Sequence, residues 1–274
     1  MAVIETHNLE RTYQDGNQVI RAVDGIDLQI QEGEFTAIVG PSGSGKTTLL
    51  NLIGGLDKPT SGEVIIAGTP IHELSDNAMI DFRLKHIGFV FQAYNLIPVL
   101  TAAENVEFIM LLQKKSKEER RQRSHQLLEA VGLGDRLTKR PGELSGGQQQ
   151  RVFIARSLAQ QADLYLMDEP FVGVDAATEE SILKLLTEMR QEGKTVIIVH
   201  HDLQTAYEYF DWIVLLNTRL VAAGPKDDVF TSNLLQEAYG GRLTVLSRIG
   251  VLIAKKDFPL RESDFKEKEG QGDG

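Results

Sequence analysis

The stretch FTAIVGPSGSGKTTLLNLIGGL, residues 35–56, limits the fold of this chain more than any other. FTAIV reads as a buried strand and TTLLNLI as a helix. Between them GPSGSGKT, Gly40 to Thr47, fits the pattern G-x-x-x-x-G-K-[ST] in full. Glycines let the backbone curl until several N–H groups point at one centre, and the following helix adds its positive N-terminal end. Lys46 is placed to reach the β- and γ-phosphates of a nucleotide, and the Thr47 hydroxyl to ligate Mg²⁺. The candidate nucleotide-binding residues here are Gly40, Pro41, Ser42, Gly43, Ser44, Gly45, Lys46, Thr47 and Thr48. The alternative, a glycine-rich turn with a chance lysine, has the full pattern and its place between strand and helix against it.

The remaining pattern agrees with an α/β chain. GIDLQIQ places Ile26, Leu28 and Ile30 in strand alternation, and GEVIIAG is another short strand. From about Thr101 to Gly132 the chain turns helical and charged, with Leu127, Leu128 and Val131 on one face. TEESILKLLTEMRQEG carries Ile182, Leu183, Leu185, Leu186 and Met189 at helical spacing and stops at Gly193. Apolar strands (LYLMD, TVIIVH, WIVLLN) alternate with these helices, which predicts a mainly parallel sheet covered on both faces.

Binding alone is not hydrolysis. LYLMDEP brings Asp168 and Glu169 to the carboxyl end of a buried strand, where open α/β sheets bind ligands. Asp168 is the candidate to hold Mg²⁺, and Glu169 the candidate to orient or deprotonate an attacking water. Gln92 in FVFQAYN follows an apolar strand and is a candidate for both the metal and the water. In VHHD, His200 and His201 point to opposite faces of a strand, so they do not share one ion. His201 is the candidate for the γ-phosphate and His200 for a structural role. Tyr13 either stacks on adenine or packs locally.

Composition closes several alternatives. With 39 Asp+Glu against 29 Lys+Arg the formal net charge is −10, the wrong sign for a nucleic-acid grip. There are 0 cysteines, so disulfides and thiolate metal sites are out. No apolar run approaches the roughly 18–20 residues needed to span a bilayer, so the expectation is a soluble chain that meets a membrane only through a partner.

A second glycine loop, LSGGQQQR at Leu144–Arg151, holds no acid, base or nucleophile. Placed shortly before LYLMDE, it resembles the signature of the ATP-binding-cassette (ABC) ATPases. The order aromatic Tyr13, glycine loop, Gln92, LSGGQ, Asp168–Glu169, Asp175 and His201 is similar to that family from end to end. The resemblance implies a P-loop NTPase fold with an ABC-type nucleotide-binding domain. It has a mainly parallel sheet, an N-terminal antiparallel β subdomain, and an inserted α-helical subdomain at about 93–145. The domain would run over residues 1–242, with a C-terminal extension at 243–274. It implies ATP and Mg²⁺, with Lys46, Gln92, Glu169 and His201 catalytic and Thr47, Gln92 and Asp168 on the metal. It implies partnership with a second nucleotide-binding subunit, Ser145, Gly146, Gly147 and Gln148 of one copy closing over ATP on the other and Asp175 coupling the two sites. The chemistry agrees, because Ser145 and the two glycine amides start a helix and form an anion-binding N-terminus. EPFVGVD departs from the commonest pattern at Val172 and Gly173, so no hydroxyl contact comes from residue 172.

Within the family the resemblance divides. GPSGSGKTTLLNLIGGLDKPTSGEV and HIGFVFQAYNLIPVLTAAENV look like ATPases of the lipoprotein-releasing and macrolide-exporting group. DLYLMDEPFVGVDAATE and VHHDLQTAYEYFDWIVLLN look like those of manganese and zinc importers. The membrane subunit in this family docks near the Gln92 loop and the helical insert, which here carries the exporter-type pattern. The expectation is an ATPase on the inner face of a cell membrane, exporter-like, with an importer ATPase as the alternative and a soluble, non-transport ABC ATPase as the lesser one. No nucleic-acid partner is expected.

Overall fold

The computed structural model describes residues 1–91, 95–171 and 176–240. A long hairpin opens the chain: β1 (Ala2–Asp15) and β2 (Gln18–Gln31) pair antiparallel across a two-residue turn, with Gly16 at φ 58°. β3 (Phe35–Val39) leads through the first glycine loop into α1 (Lys46–Ile53). β4 (Ser61–Ile66) and β5 (Thr69–Pro70) complete a four-stranded antiparallel sheet ordered β2-β1-β4-β5, the expected N-terminal subdomain. Then come α2 (Asp76–His86), β6 (Ile87–Val90), α3 (Ala102–Leu112), α4 (Lys117–Ala130) and α5 (Gly146–Ala159). β7 (Leu164–Asp168), α6 (Ala176–Gln191), β8 (Thr195–Val199) and α7 (Leu203–Tyr209) follow. β9 (Trp212–Asn217), β10 (Arg219–Pro225), α8 (Lys226–Val229) and α9 (Ser232–Tyr239) end the described chain.

The second sheet is ordered β10-β9-β3-β8-β7-β6, parallel throughout except for the β9–β10 hairpin. Its central strands are buried on both faces, so their apolar runs are continuous rather than alternating. Successive residues feed two separate cores. Phe35, Ala37 and Val39 of β3 join Val196 and Ile198 of β8 on the side of α3, α4 and α5. Ile38, Ile197 and Val199 point the other way, onto α1 and the antiparallel sheet.

The helices between β6 and β7 start where side chains cap them. Thr101 with Glu104, Ser116 with Glu119 and Ser145 with Gln148 each form a reciprocal capping box. The single helical stretch read from Thr101 to Gly132 is two helices, because the chain turns at Lys114, which lies at φ 62°, and restarts at the Ser116 cap. Leu127, Leu128 and Val131 are buried as their spacing predicts. α2 had no legible signal: none of its residues is buried, so its sequence carries no apolar stripe.

Leu166, fully buried at the centre of β7, tests the link between core and site. Leu166→Ala should lower unfolding free energy by about 2–5 kcal/mol in urea titrations, since it leaves a cavity beneath α1. A loss below about 1 kcal/mol would show that the neighbours collapse into the space.

Candidate functional site

Parallel pairing gathers the candidate residues at one edge of the second sheet. Ile38 of β3 pairs with Val199 of β8, and Val199 with Asp168 of β7, so the strands end side by side. The loop leaving β3 is pressed against the neighbouring strand: a Cβ on Gly40 would lie 2.0 Å from the Leu216 carbonyl oxygen. Gly45, at φ 89°, is equally confined, its added Cβ falling 2.0 Å from the Ala22 carbonyl oxygen. Gly43, at φ 78°, meets nothing and is needed for its left-handed backbone alone. Thr218 N–H donates to the Ser44 carbonyl at 2.9 Å, which pins the loop from the other side. Ser42 is exposed and Pro41 half-buried on the outer curve of the loop.

α1 begins at Gly45 with no side chain capping it, so its first N–H groups remain open to an anion. Lys46 is buried beside them and donates to the Gly40 and Pro41 carbonyls, both at 2.9 Å. Burial pulls its pKa below the usual lysine range, opposed by the Glu169 and Asp168 charges. Thr47 Oγ1 donates to Asp168 Oδ1 at 3.2 Å, joining hydroxyl and carboxylate across 121 positions of sequence. Thr48 is half-buried on the same turn. Burial raises the Asp168 pKa; the Thr47 bond opposes this, Glu169 reinforces it and Lys46 opposes it.

Glu169 departs from the strand. Its φ is 47°, rare for a non-glycine residue, and its N–H donates to Val199 O at 3.1 Å. The carboxylate therefore does not follow Asp168 in simple alternation. β8 ends at Val199, so His200 and His201 lie beyond the strand rather than on its opposite faces, and His200 is buried among Phe171, Phe210 and His201, with ring centroids 5.8, 6.2 and 5.5 Å away. Its Nε2 has no hydrogen-bond partner among the described residues. Burial, with help from His201 and against Asp202, drives its pKa down to about 4, so it is neutral at physiological pH. His201 is exposed, next to the Asp202 cap of α7.

The second loop stands apart. Ser145 Oγ accepts from Gln148 N–H at 3.3 Å, and Gln148 Oε1 accepts from Ser145 N–H at 3.0 Å. That box leaves the Gly146 and Gly147 amides free of partners in the described chain. No hydrogen bond or ion pair joins residues 145–148 to Lys46, Thr47 or Asp168 among the described residues. One link was not legible in sequence: buried Gln150 donates to the Pro170 carbonyl at 2.8 Å, tying α5 to the turn after Asp168–Glu169. Tyr13 makes the local contacts that one of its two expected readings describes. Its hydroxyl donates to Asp57 at 2.8 Å and the Arg11 guanidinium lies 4.6 Å from its ring centroid, so it is oriented and stacked on one side. Gln92, Asp175 and the 243–274 extension lie outside the described residues.

A curled glycine loop between strand and helix, with a lysine on it and a hydroxyl–carboxylate pair beside it, defines a P-loop nucleoside-triphosphatase. Its particular family follows from comparison. The family model described as "ABC transporter" matches residues 23–172. The manganese transport system ATP-binding protein MntB of Bacillus subtilis is 45% identical over 221 residues, covering 81% of this chain and 87% of that protein. The macrolide export ATP-binding/permease protein MacB 1 of Yersinia pestis is 42% identical over 228 residues, covering 83% of this chain but 35% of that longer protein. A dimeric structure of the ATP-binding cassette MJ0796 in a post-hydrolysis state, bound to ADP and Pi, superposes with a TM-score of 0.78. It is 42% identical, and the match covers 81% of this chain and 98% of that one. The chain belongs to the ABC transporter family, as an ATP-binding subunit and an ATPase.

The raised Asp168 pKa gives a stability prediction. The folded state holds this proton more tightly than the unfolded chain, so ionised Asp168 opposes folding above the raised pKa and the penalty fades as pH falls through it. Nucleotide-free Asp168→Asn should melt higher than wild type at pH 7–8 in differential scanning fluorimetry, with the gain shrinking on acidification. A lower melting point at neutral pH would mean that attraction to Lys46 outweighs desolvation.

Proposed function

We propose that two copies of this chain pack head to tail around two ATP, the Ser145–Gly147 loop of each closing over the phosphate loop of the other. The observation that carries this reading is the pair of amides at Gly146 and Gly147, on a helix N-terminus, that have no partner and no bond to the first glycine loop among the described residues. Such a terminus binds anions, and none of the described residues of its own copy bonds to these two amides. The MJ0796 cassette, dimeric and bound to ADP and Pi, supports the pairing of two copies.

The roles follow from chemistry. Uncapped α1, the loop amides and Lys46 would hold the phosphates, with Lys46 exchanging loop carbonyls for phosphate oxygens. Thr47 and Asp168 would hold Mg²⁺, which when bound neutralises phosphate charge. No cluster of three or more acidic, His or Cys groups occurs among the described residues, which suits a metal shared with phosphate oxygens rather than caged by protein. Glu169, turned away from the strand, would take the proton of the attacking water, and His201 would contact the γ-phosphate. Gln92 and Asp175 keep their assigned roles at metal, water and dimer interface. Tyr13, held by Asp57, would pack on adenine. The nucleotide-binding domain is assigned to residues 1–242.

The chain would sit on the inner face of a cell membrane by docking to a membrane subunit; among the described residues no helix is long and apolar enough to cross. A groove of about 490 Å³ beside β6, α3 and α5 would supply a docking surface, and Ile87, Phe89, Phe91 and Ile97 on its wall belong to a stretch with the exporter-type pattern. Lipoprotein release or export is therefore the leading transport reading. Likeness to MntB over most of its length favours manganese or zinc import as the second.

Glu169→Gln should cut ATP hydrolysis by about 10²–10⁴-fold while ATP binding persists. Purified from membranes with Mg-ATP, it should carry a membrane protein: one with few spans and a large external domain for export, a many-span permease for import. A variant that still hydrolyses at the wild-type rate removes Glu169 as the base; recovery of soluble protein alone counts against transport.

A further inference from the structure

The three consecutive glutamines that follow Gly146–Gly147 reach three different partners. Gln148 closes the capping box with Ser145, and Gln149 donates back to the Leu144 carbonyl at 3.1 Å, so both serve the helix end itself. Gln150, one turn after Gly146, reaches out of the helix: it is 1% exposed, and its Nε2 donates to the Pro170 carbonyl at 2.8 Å. Its Oε1 has no hydrogen-bond partner among the described residues. A buried carboxamide with one end unpaired is a costly way to fill space, and Leu or Met would fill it without that cost. The carboxamide is explained by the bond it makes.

That bond falls one residue after Glu169. Glu169 sits at φ 47°, a conformation that a residue with a side chain holds only where its surroundings over-determine it. Its own N–H, donating to Val199 O at 3.1 Å, fixes the turn from the β8 side. The next residue is a proline with no N–H to give, so the backbone of Pro170 can be tied only through its carbonyl. Gln150 supplies that tie, and just beyond it the Phe171 ring packs edge-on to His200 at 5.8 Å. We infer that Gln150 is a positioning residue for hydrolysis: it fixes the peptide after Glu169, and with it the line along which the Glu169 carboxylate meets the attacking water. The inference rests on the reading of Glu169 as the base and adds the group that aims it. It also joins the helix that starts at Ser145 to the hydrolytic turn of the same copy. Misplacing a reacting group by about 1 Å costs on the order of 100-fold in rate. Loss of the tie therefore acts on kcat, while the first glycine loop, backed by β9 and β2, keeps its grip on ATP.

The test compares the full chain with Gln150→Leu, Glu169→Gln and the double variant, in steady-state and single-turnover hydrolysis of Mg-ATP. Gln150→Leu should lower kcat about 10–100-fold and leave KM for ATP within about twofold. In the Glu169→Gln background the same change should cost less than about twofold more, because groups that act through one step do not add. The melting temperature should hold, since removing the unpaired oxygen offsets leaving the Pro170 carbonyl unpaired. If Gln150→Leu does not fold, Gln150→Met, closer to glutamine in length, is read in its place with the same expectation. An unchanged kcat, or a loss that multiplies in full onto that of Glu169→Gln, overturns the inference and leaves Glu169 standing as the base. A raised KM together with a lowered melting temperature overturns it too, by making Gln150 a packing residue of α5. Glu169→Gln hydrolysing at the wild-type rate removes the base reading, and this inference with it.

Discussion

The parallel pairing of β3, β8 and β7 is the constraint from which the rest of the site follows. Register brings Val199 opposite both Ile38 and Asp168, so the first glycine loop, the Asp168 carboxylate and the histidine pair leave the sheet at one edge. Burial of those strands on both faces makes a shift of register costly, because every residue would change core. The glycines then become obligatory for contact reasons. Gly40 and Gly45 lie where any Cβ would strike the backbone of β9 or β2. The loop is pinned from behind, and in front the Lys46 ammonium donates to its Gly40 and Pro41 carbonyls.

Stability and chemistry pull against each other at that edge. Asp168 is buried with its pKa raised, Lys46 is buried with its pKa lowered, and Glu169 occupies a left-handed backbone conformation. Each is unfavourable for an isolated chain and is held by the surrounding sheet. Phosphates would relieve the strain on the cations, since they bring the negative charge that the loop, with its amides and Lys46, is arranged to receive. The second glycine loop follows the same logic at a distance. Its capping box satisfies Ser145 and Gln148 and leaves the Gly146 and Gly147 amides without partners among the described residues.

Much of this was legible in the sequence because the signals are local. GPSGSGKT between an apolar strand and a helix, LYLMDE, and a serine followed three residues later by glutamine at Ser145–Gln148 each specify backbone and side chain together. Strand alternation at Ile26, Leu28 and Ile30 placed β2 for the same reason. What escaped depends on residues far apart. α2 packs no residue fully and so has no stripe to read, and Gln150 gains its meaning only from the Pro170 carbonyl.

The central claim is that the second loop completes a site on another copy. The chain has no cysteine, so Ser42→Cys and Gln148→Cys can be introduced into separate Glu169→Gln preparations without background. Mixed with Mg-ATP and a short bis-maleimide, the two preparations should give a covalent heterodimer that requires both variants and the nucleotide. A mixture that stays monomeric with ATP bound, while each preparation binds nucleotide normally, would contradict the account.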